Sequence, residues 1–286
     1  MSDSDPPPSS ELAPRPMPPF IAAGWTLGAT LLLILLVQAT ISARPAAADD
    51  VVSQVACQAG AYLLAIFAIL RVHAPEAEVG SFLAIRRTNL AFYALAILLG
   101  AALVVPSDAL LSLIARRFPL APFDDPTVAI FQSVSLPHKV MMGFAACVAG
   151  PLLEELLFRG ALFKPLRKSY LGLALPTIVT TALLFALVHI EWQRMVHIGL
   201  MGLALAFLRQ VSGSIVPSAL VHFTYNGTAF ALAVILTARG GPEAEMPTPL
   251  WLVASCVGAA ILLIGLIHLT GKHSEAARRA QELDQT

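Results

Sequence analysis

The chain has 286 residues, of which 57% are hydrophobic and 13% are charged, and its formal net charge at pH 7 is zero. Soluble domains carry about 25% charged residues, so this composition and the mean hydropathy of +0.76 exclude an ordinary soluble domain. The neutral balance provides no electrostatic basis for binding nucleic acid. Repeated apolar runs of about 20 residues predict a multi-pass membrane protein.

The N-terminal segment, residues 1–19, contains seven prolines together with Ser and Asp residues. This composition cannot bury enough apolar surface to order the segment, and it predicts a disordered, Pro-rich cytoplasmic tail. The first apolar run follows, from about Phe20 to Ile41, and is predicted to span the membrane. A cleaved signal peptide is the competing interpretation of this run, because Ala46, Ala47 and Ala48 supply small residues after it.

Eight apolar runs are predicted to span the membrane, which makes the fold class all-α, a multi-pass transmembrane helical bundle of about eight spans. The predicted spans are approximately residues 20–41, 51–70, 90–105, 138–163, 171–190, 195–208, 215–236 and 249–270. Between the third and fourth spans, the pieces DALLSLIARRF and PTVAIFQSV are short and amphipathic and suit interfacial helices. The predicted parts of the chain are therefore the tail 1–19, an N-terminal part 20–136 with spans 1–3 and the interfacial segment, a transmembrane core 137–270 and a polar tail 271–286.

The distribution of Lys and Arg outside the predicted spans indicates the orientation in the membrane. One side carries 11 of these residues and the other side carries 6. The 11 are Arg15, Arg71, Arg86, Arg87, Lys164, Arg167, Lys168, Arg209, Lys272, Arg278 and Arg279. Positively charged residues accumulate on the cytoplasmic side, so we expect a protein of the cell inner (plasma) membrane with both termini in the cytoplasm.

The fourth span contains the stretch GPLLEELLFRGALF, which brings Glu154, Glu155 and Arg159 into an apolar helix. Each charge near the bilayer centre costs roughly 2.5–3.5 kcal/mol, so these groups must be paired or face a cavity. Glu155 and Arg159 share a helix face at i, i+4 and are predicted to form a supporting ion pair. Glu154 points about 100° away and is free to handle protons. In the alternative interpretation, both carboxylates only compensate Arg159 in a water-filled vestibule.

Two later spans also carry polar residues at i, i+4 spacing. The fifth span ends in FALVHIEW, which places Phe185 and His189 on one face, and the seventh contains HFTYN, which does the same for His222 and Asn226. A single His or Asn in an apolar helix is more often structural. Because three spans each carry such groups, a shared site is favoured. His197, which opens the sixth span, is the one other histidine that we do not set aside.

These residue types together could hydrolyse an amide bond with water as the nucleophile. A carboxylate and an imidazole converging on one water form a general-base pair. A second imidazole and a carboxamide N–H can donate hydrogen bonds to a developing oxyanion. The sequence contains neither G-x-S-x-G nor H-E-x-x-H, so no serine nucleophile or zincin motif is indicated.

A Glu with two His residues can also bind zinc, and Glu154, His189 and His222 are the candidate ligands. Ligating histidines need hydrogen-bond acceptors behind them. Near His222 the sequence offers only Thr224, Asn226 or backbone groups for this purpose. Zinc is therefore possible but not required, and the metal-free mechanism is slightly favoured.

The three motifs resemble those of the CPBP family, the CAAX-protease and bacteriocin-processing intramembrane proteins also called Abi. EELLFR resembles the family's EExxxR motif, FALVH its FxxxH motif and HFTYN its HxxxN motif, and the resemblance covers about residues 143–234. It implies an eight-helix membrane endopeptidase that acts on peptides, partner membrane proteins or CAAX-type proteins. It also implies that Glu154 and His189 activate water, that His222 and Asn226 hold the oxyanion, and that Glu155 and Arg159 are supporting.

Two functions of other classes remain open at this stage. Buried Glu and His residues also form proton relays, as in a proton-coupled transporter or channel, although no repeated halves mark a transporter. A non-catalytic scaffold or immunity protein of the same family could regulate a membrane partner.

The expected depths of the site residues in the membrane disagree with one another. Counted from the Lys164–Lys168 turn at 1.5 Å per residue, Glu154 should be roughly 15 Å deep and His189 roughly 30 Å. His222 should be roughly 12–15 Å from its own loop.

Overall fold

The computed structural model describes residues 14–48, 50–118, 135–238 and 249–283, and no strand occurs among them. The first five helices are α1 (Pro19–Ala43), α2 (Val51–His73), α3 (Val79–Phe82), α4 (Leu90–Arg117) and α5 (Leu136–Ser169). The remaining four are α6 (Ala174–Leu187), α7 (Trp192–Ser212), α8 (Ile215–Ala238) and α9 (Pro249–Leu283). This architecture confirms the predicted all-α helical bundle.

Seven of the described helices are long and apolar enough to cross a membrane, and α6, with 14 residues, is shorter. The predicted fifth span, residues 171–190, was therefore too long. The backbone is left-handed at Leu171 and Gly172, near the start of the predicted span, and at Ile190, at its end. The chain therefore turns at both ends of the predicted span. The apolar run continues through these turns, and for this reason hydropathy alone overestimates the helix length.

Helix α4 continues past Pro106, where the sequence predicted the end of the third span, and reaches Arg117. The segment DALLSLIARRF is consequently the last part of α4 and not a separate interfacial helix. Transmembrane helices tolerate an internal proline when neighbouring groups satisfy the freed backbone. The second predicted interfacial piece, PTVAIFQSV, lies outside the described residues.

The two predicted tails are partly described. Residues 1–13 lie outside the described part, but residues 14–18 pack against the bundle, where Met17 is fully buried and its N–H donates to the Pro165 carbonyl (3.0 Å). The expected disorder therefore does not extend to residues 14–18. At the other end, α9 continues to Leu283 through most of the predicted polar tail.

Helix α5 lies inside the bundle and carries Glu154 and Glu155, the acidic motif. Its neighbours include α2, α7 and α8, and it buries Phe158, Leu157 and Leu162 almost completely. Outer positions such as Phe20 and Leu35 are 72% and 65% exposed, which suits a lipid-facing surface.

Helix α5 contains two π-helical segments, Ala145–Ala149 and Leu156–Leu162, on either side of the acidic pair. π-segments are rare and occur frequently at functional sites. One carbonyl in each segment accepts a hydrogen bond from a side chain of another helix. Asn226 of α8 donates to Ala146, and Arg209 of α7 donates to Arg159.

Candidate active site

Glu155 and Arg159 form a fully buried ion pair on α5, as the i, i+4 spacing predicts. Arg159 Nη1 lies 2.8 Å from Glu155 Oε1, and both side chains are 0% exposed. Arg159 Nη2 also donates to the Gly202 carbonyl of α7 at 3.1 Å. Its guanidinium lies 4.3 Å from the centre of the Phe185 ring, where a cation–π contact is favourable. The pair therefore ties α5 to α6 and α7.

His222 of α8 lies between the two carboxylates of the acidic motif. Its Nδ1 is 3.2 Å from Glu155 Oε1, and its Nε2 is 3.7 Å from Glu154 Oε2. A carboxylate paired with arginine can only accept a hydrogen bond, so Nδ1 carries a proton. His222 and Glu155 are nearly or fully buried, whereas the Glu154 side chain is 15% exposed.

His189 lies in the turn after α6, and a local contact determines its tautomer. Its Nδ1 is 2.9 Å from the Phe185 carbonyl, which can only accept, so Nδ1 carries the proton in the neutral ring. Nε2 is then unprotonated and available as a base or a ligand. The Phe185 ring packs edge-on against both His189 and His222, at centroid distances of 5.0 and 5.7 Å. Phe185 therefore positions both histidines and Arg159.

Asn226, one turn after His222 on α8, donates one amide hydrogen to the Ala146 carbonyl at 2.8 Å. A carboxamide has two N–H donors and one carbonyl acceptor. One donor joins α8 to the π-segment of α5, and the second N–H donates to no other residue in the part of the chain that the structure describes.

The side chains of Glu154, His189, His222 and Asn226 all line one cavity of about 680 Å³. The cavity is bounded by α1, α2, α5, α7 and α8 and by the turn that holds His189. Glu155 and Arg159 lie behind its wall.

The cavity also contains residues that the motif analysis did not assign to the site. His197 lines it, and so do Gln54 and Gln58 of α2 and Tyr225 of α8. The only indication in the sequence was polarity, since the two glutamines are among the few polar side chains of the first three predicted spans. Their position in the cavity depends on how α2 packs against α5, which local spacing does not reveal.

The disagreement in depth arose from the helix boundaries. Because α5 continues to Ser169 and α6 starts at Ala174, Glu154 and His189 each lie about 15 residues, or roughly 22 Å, from the turn between them. The α7–α8 turn lies deeper in the bundle than the α5–α6 turn, since Arg209, one turn before it, bonds to Arg159. His222 therefore reaches the same level after only two turns of α8.

The argument that His222 lacks a suitable acceptor for a metal site is wrong. Glu155 accepts at Nδ1 of His222, and the Phe185 carbonyl accepts at Nδ1 of His189. Metal-ligating histidines need acceptors of this kind. Within the described part of the chain, no group of three or more His, Cys, Asp or Glu residues is arranged to hold a metal ion.

Comparison with known families identifies the segment that contains these residues. Residues 136–228, about a third of the chain, match the family model described as type II CAAX prenyl endopeptidase Rce1-like. The match includes all six motif residues, Glu154, Glu155, Arg159, His189, His222 and Asn226, and it confirms the resemblance to the CAAX-protease family. Searches of curated proteins and of solved structures find no match.

Proposed function

We propose that the protein is an intramembrane endopeptidase that hydrolyses peptide bonds with a water molecule activated by Glu154 and His189. The observation that carries the proposal is the position of four polar side chains on the wall of one cavity inside an apolar bundle. Polar groups are costly at such positions, and they mark functional sites by default. The family match over residues 136–228 supports the same reaction class.

In this mechanism, Glu154 and the unprotonated Nε2 of His189 share the role of general base. They take a proton from water as its oxygen attacks the carbonyl carbon, and the proton then goes to the leaving amine. A positioned acid–base group contributes typically 10²–10⁴ in rate.

His222 and Asn226 stabilise the oxyanion in the proposed reaction. Because Glu155 accepts at Nδ1 of His222, donation from Nε2 requires the doubly protonated ring, whose charge Glu154 and Glu155 would balance. Asn226 contributes its second N–H. Removing one oxyanion donor from a protease costs about 10²–10³ in kcat. Glu155 and Arg159 support the site by holding His222 and α5 in place.

The substrates we propose are peptides or membrane-associated proteins, including CAAX-type chains, cleaved in the cell inner membrane. Helices α1 and α2 contribute apolar side chains to the cavity wall, including Leu33, Val37 and Val55, in addition to the polar groups. This composition suits a peptide segment that is itself partly apolar.

Comparative peptidomics of membranes that contain wild type or Glu154→Gln tests the proposal. Gln keeps the shape of Glu but cannot accept the proton, so peptides released by wild type should disappear from the variant. A phenotype that survives Glu154→Gln, with no difference between the peptidomes, would instead indicate a non-catalytic scaffold.

The proposed reaction needs no bound metal, because Glu154 and His189 are both proton acceptors. Elemental analysis of purified active protein, followed by exhaustive chelation and readdition of zinc, tests this point. Cleavage should persist through chelation. Stoichiometric zinc whose removal and return switch cleavage off and on would replace this version with a zinc site of Glu154, His189 and His222.

A further inference from the structure

Four basic side chains lie together where the α3–α4 loop meets the last turns of α5 and α7. We call Arg86, Lys164, Arg167 and Arg209 the basic cluster. All four belong to the 11 cations on the predicted cytoplasmic side. The charged groups that act on Arg209 are those of Arg86 and Arg167, and those that act on Lys164 are Arg209 and Arg86. The cluster is separate from the proposed catalytic cavity.

Arg209 is unusual because its side chain is buried, with only 4% of the residue exposed. Its Nε donates to the Arg159 carbonyl at 2.9 Å, and its guanidinium lies 5.0 Å from the centre of the Phe163 ring. Within the described part of the chain, Nη1 and Nη2 donate no hydrogen bond, and neither is fully buried. Two donors of a fixed guanidinium therefore remain for a ligand.

The other three cations are held by backbone carbonyls. Arg86 Nε donates to Gly213 at 2.7 Å, and Arg167 Nε donates to Gly172 at 3.2 Å. Lys164 Nζ donates to the Ser81 carbonyl. These contacts orient the side chains but supply no full negative charge. Among the described residues, no carboxylate forms an ion pair with any member of the cluster.

Large apolar side chains are exposed next to the basic cluster. Ile85 precedes Arg86 and is 51% exposed, and Leu171, Leu173 and Leu175 follow Arg167 with exposures of 93%, 60% and 72%. This end of the bundle therefore presents both cations and exposed apolar side chains, as expected of a surface that contacts membrane lipid.

We propose that the basic cluster binds the phosphate group of an anionic membrane lipid. The planar guanidinium of Arg209 can bind two phosphate oxygens through two parallel N–H donors. Lys164, Arg86 and Arg167 surround it with positive charge, and basic pockets between transmembrane helices bind lipid headgroups in this way. The lipid connects α5 to α7 through Arg209 and so stabilises the helix that carries the acidic motif.

Titration of the purified full-length protein in detergent tests the proposal without reference to catalysis. Phosphatidylglycerol, phosphatidylcholine and inorganic phosphate are added separately, and bound lipid is counted by native mass spectrometry while Tm is followed. A ligand that binds the folded state raises Tm. Phosphatidylglycerol should bind and raise Tm, whereas phosphatidylcholine and inorganic phosphate should do neither. An equal effect of inorganic phosphate would show that the basic cluster binds a soluble anion instead of a lipid. Equal binding of phosphatidylcholine would show that the charge of the lipid does not determine binding.

Two double variants with the same change in charge separate a specific site from general positive charge. Each cation near an anionic lipid contributes a factor of about five in affinity, so Arg86→Gln/Arg167→Gln should bind phosphatidylglycerol about 25-fold more weakly than wild type. Arg71→Gln/Lys168→Gln removes two cations of the same predicted side outside the cluster and should bind as wild type does. Equal weakening in both variants would overturn the proposal.

A truncation tests the main alternative occupant, which is the chain's own N-terminal segment. Residues 1–13 contain Asp3, Asp5 and Glu11, and Met17 docks beside Lys164 through the Pro165 carbonyl. Deletion of residues 2–13 should leave phosphatidylglycerol affinity within twofold of wild type. Lipid binding that appears only after this deletion would assign the cluster to those acids.

Discussion

Glu154 and Glu155 are adjacent in the sequence but have different environments, because neighbouring residues point about 100° apart on a helix. Glu155 is fully buried, and its Oε1 lies against both Arg159 and His222. Glu154 faces the cavity and has only the distant Nε2 of His222 as an ionic partner among the described residues. Two identical side chains are thus suited to two roles, one structural and one chemical.

Arg159→Ala should lower stability and not only activity. The substitution leaves the Glu155 carboxylate buried without its cation and removes the contacts to Gly202 and Phe185. Truncating one partner of a buried ion pair typically costs about 3–5 kcal/mol. We expect a clear drop in Tm and in monodisperse yield in detergent, measured by thermal unfolding and size-exclusion chromatography.

Arg44→Ala is the matched control for this prediction, since Arg44 pairs with Asp50 at an exposed position, with 58% of its side chain accessible. Exposed pairs contribute little to stability, so its Tm should stay near that of wild type. An Arg159→Ala protein that is as stable as wild type but inactive would assign Arg159 to catalysis.

His189 and His197 line the same cavity but should respond differently to substitution by alanine. His189 has a defined tautomer with Nε2 available as a base, whereas the buried Nδ1 of His197 has no hydrogen-bond partner among the described residues. On the proposed function, His189→Ala should lower kcat/KM by about 10²–10⁴. His197→Ala should change it by less than about tenfold, because it holds no general-base role in the proposed reaction. Both are measured on a substrate identified by peptidomics, and an equal loss in both variants would add His197 to the catalytic group.

At the scale of helices, α4 and α8 approach each other closely at Gly100. A Cβ atom added there would lie 2.6 Å from the Val221 carbonyl oxygen and 2.9 Å from Thr224 Cβ. Real Cβ atoms do not tolerate such distances, so the helices would have to separate. α8 carries His222 and Asn226, and this contact therefore helps to set their positions.

Gly100→Ala should therefore destabilise the protein by about 1–3 kcal/mol, the usual cost of overpacking. Gly28→Ala in α1 is the control, because a Cβ there meets nothing within 4 Å. Alanine is the better helix former by about 1 kcal/mol, so Gly28→Ala should leave Tm unchanged or raise it. Thermal unfolding of both variants in the same detergent measures the difference. A Gly100→Ala protein as stable as Gly28→Ala would contradict the close approach.

For the whole molecule, the segment that matches the family model does not form the cavity alone. Residues 136–228 provide Glu154, His189, His222 and Asn226. Another part of the lining comes from α1 and α2, which lie outside that segment and contribute Leu33, Gln54 and Gln58. The N-terminal helices are therefore part of the site's structure.

The predicted orientation places both termini in the cytoplasm. It follows from the 11 to 6 distribution of Lys and Arg across the predicted spans. Single cysteines introduced at Ser2, Ser274 and Asp124, in a background without Cys57, Cys147 and Cys256, test it with membrane-impermeant thiol reagents on intact cells. Only the cysteine at position 124 should react, because it lies between the third and fourth predicted spans. Labelling at both termini with protection at position 124 would show that the orientation is the opposite of the predicted one.

The sequence by itself determined the features that depend on local spacing or on the cost of burying charge. The all-α membrane fold follows from the apolar runs, and the Glu155–Arg159 pair follows from i, i+4 geometry on one helix. The six motif residues could be selected because ionisable and amide groups are costly in apolar spans. The first two inferences use only residues within single spans, whereas the choice of the motif residues also uses the presence of such groups in three spans.

Only the tertiary structure decided which residues meet across helices. The contact of His222 with Glu155 joins residues 67 positions apart, and the bond from Asn226 to Ala146 joins residues 80 apart. Local sequence patterns also did not predict several other features. These are the lengths of α4 and α6, the π-segments, and the presence of Gln58 and His197 in the cavity. Packing between helices sets these features, because each contact depends on distant side chains that no short stretch of sequence contains.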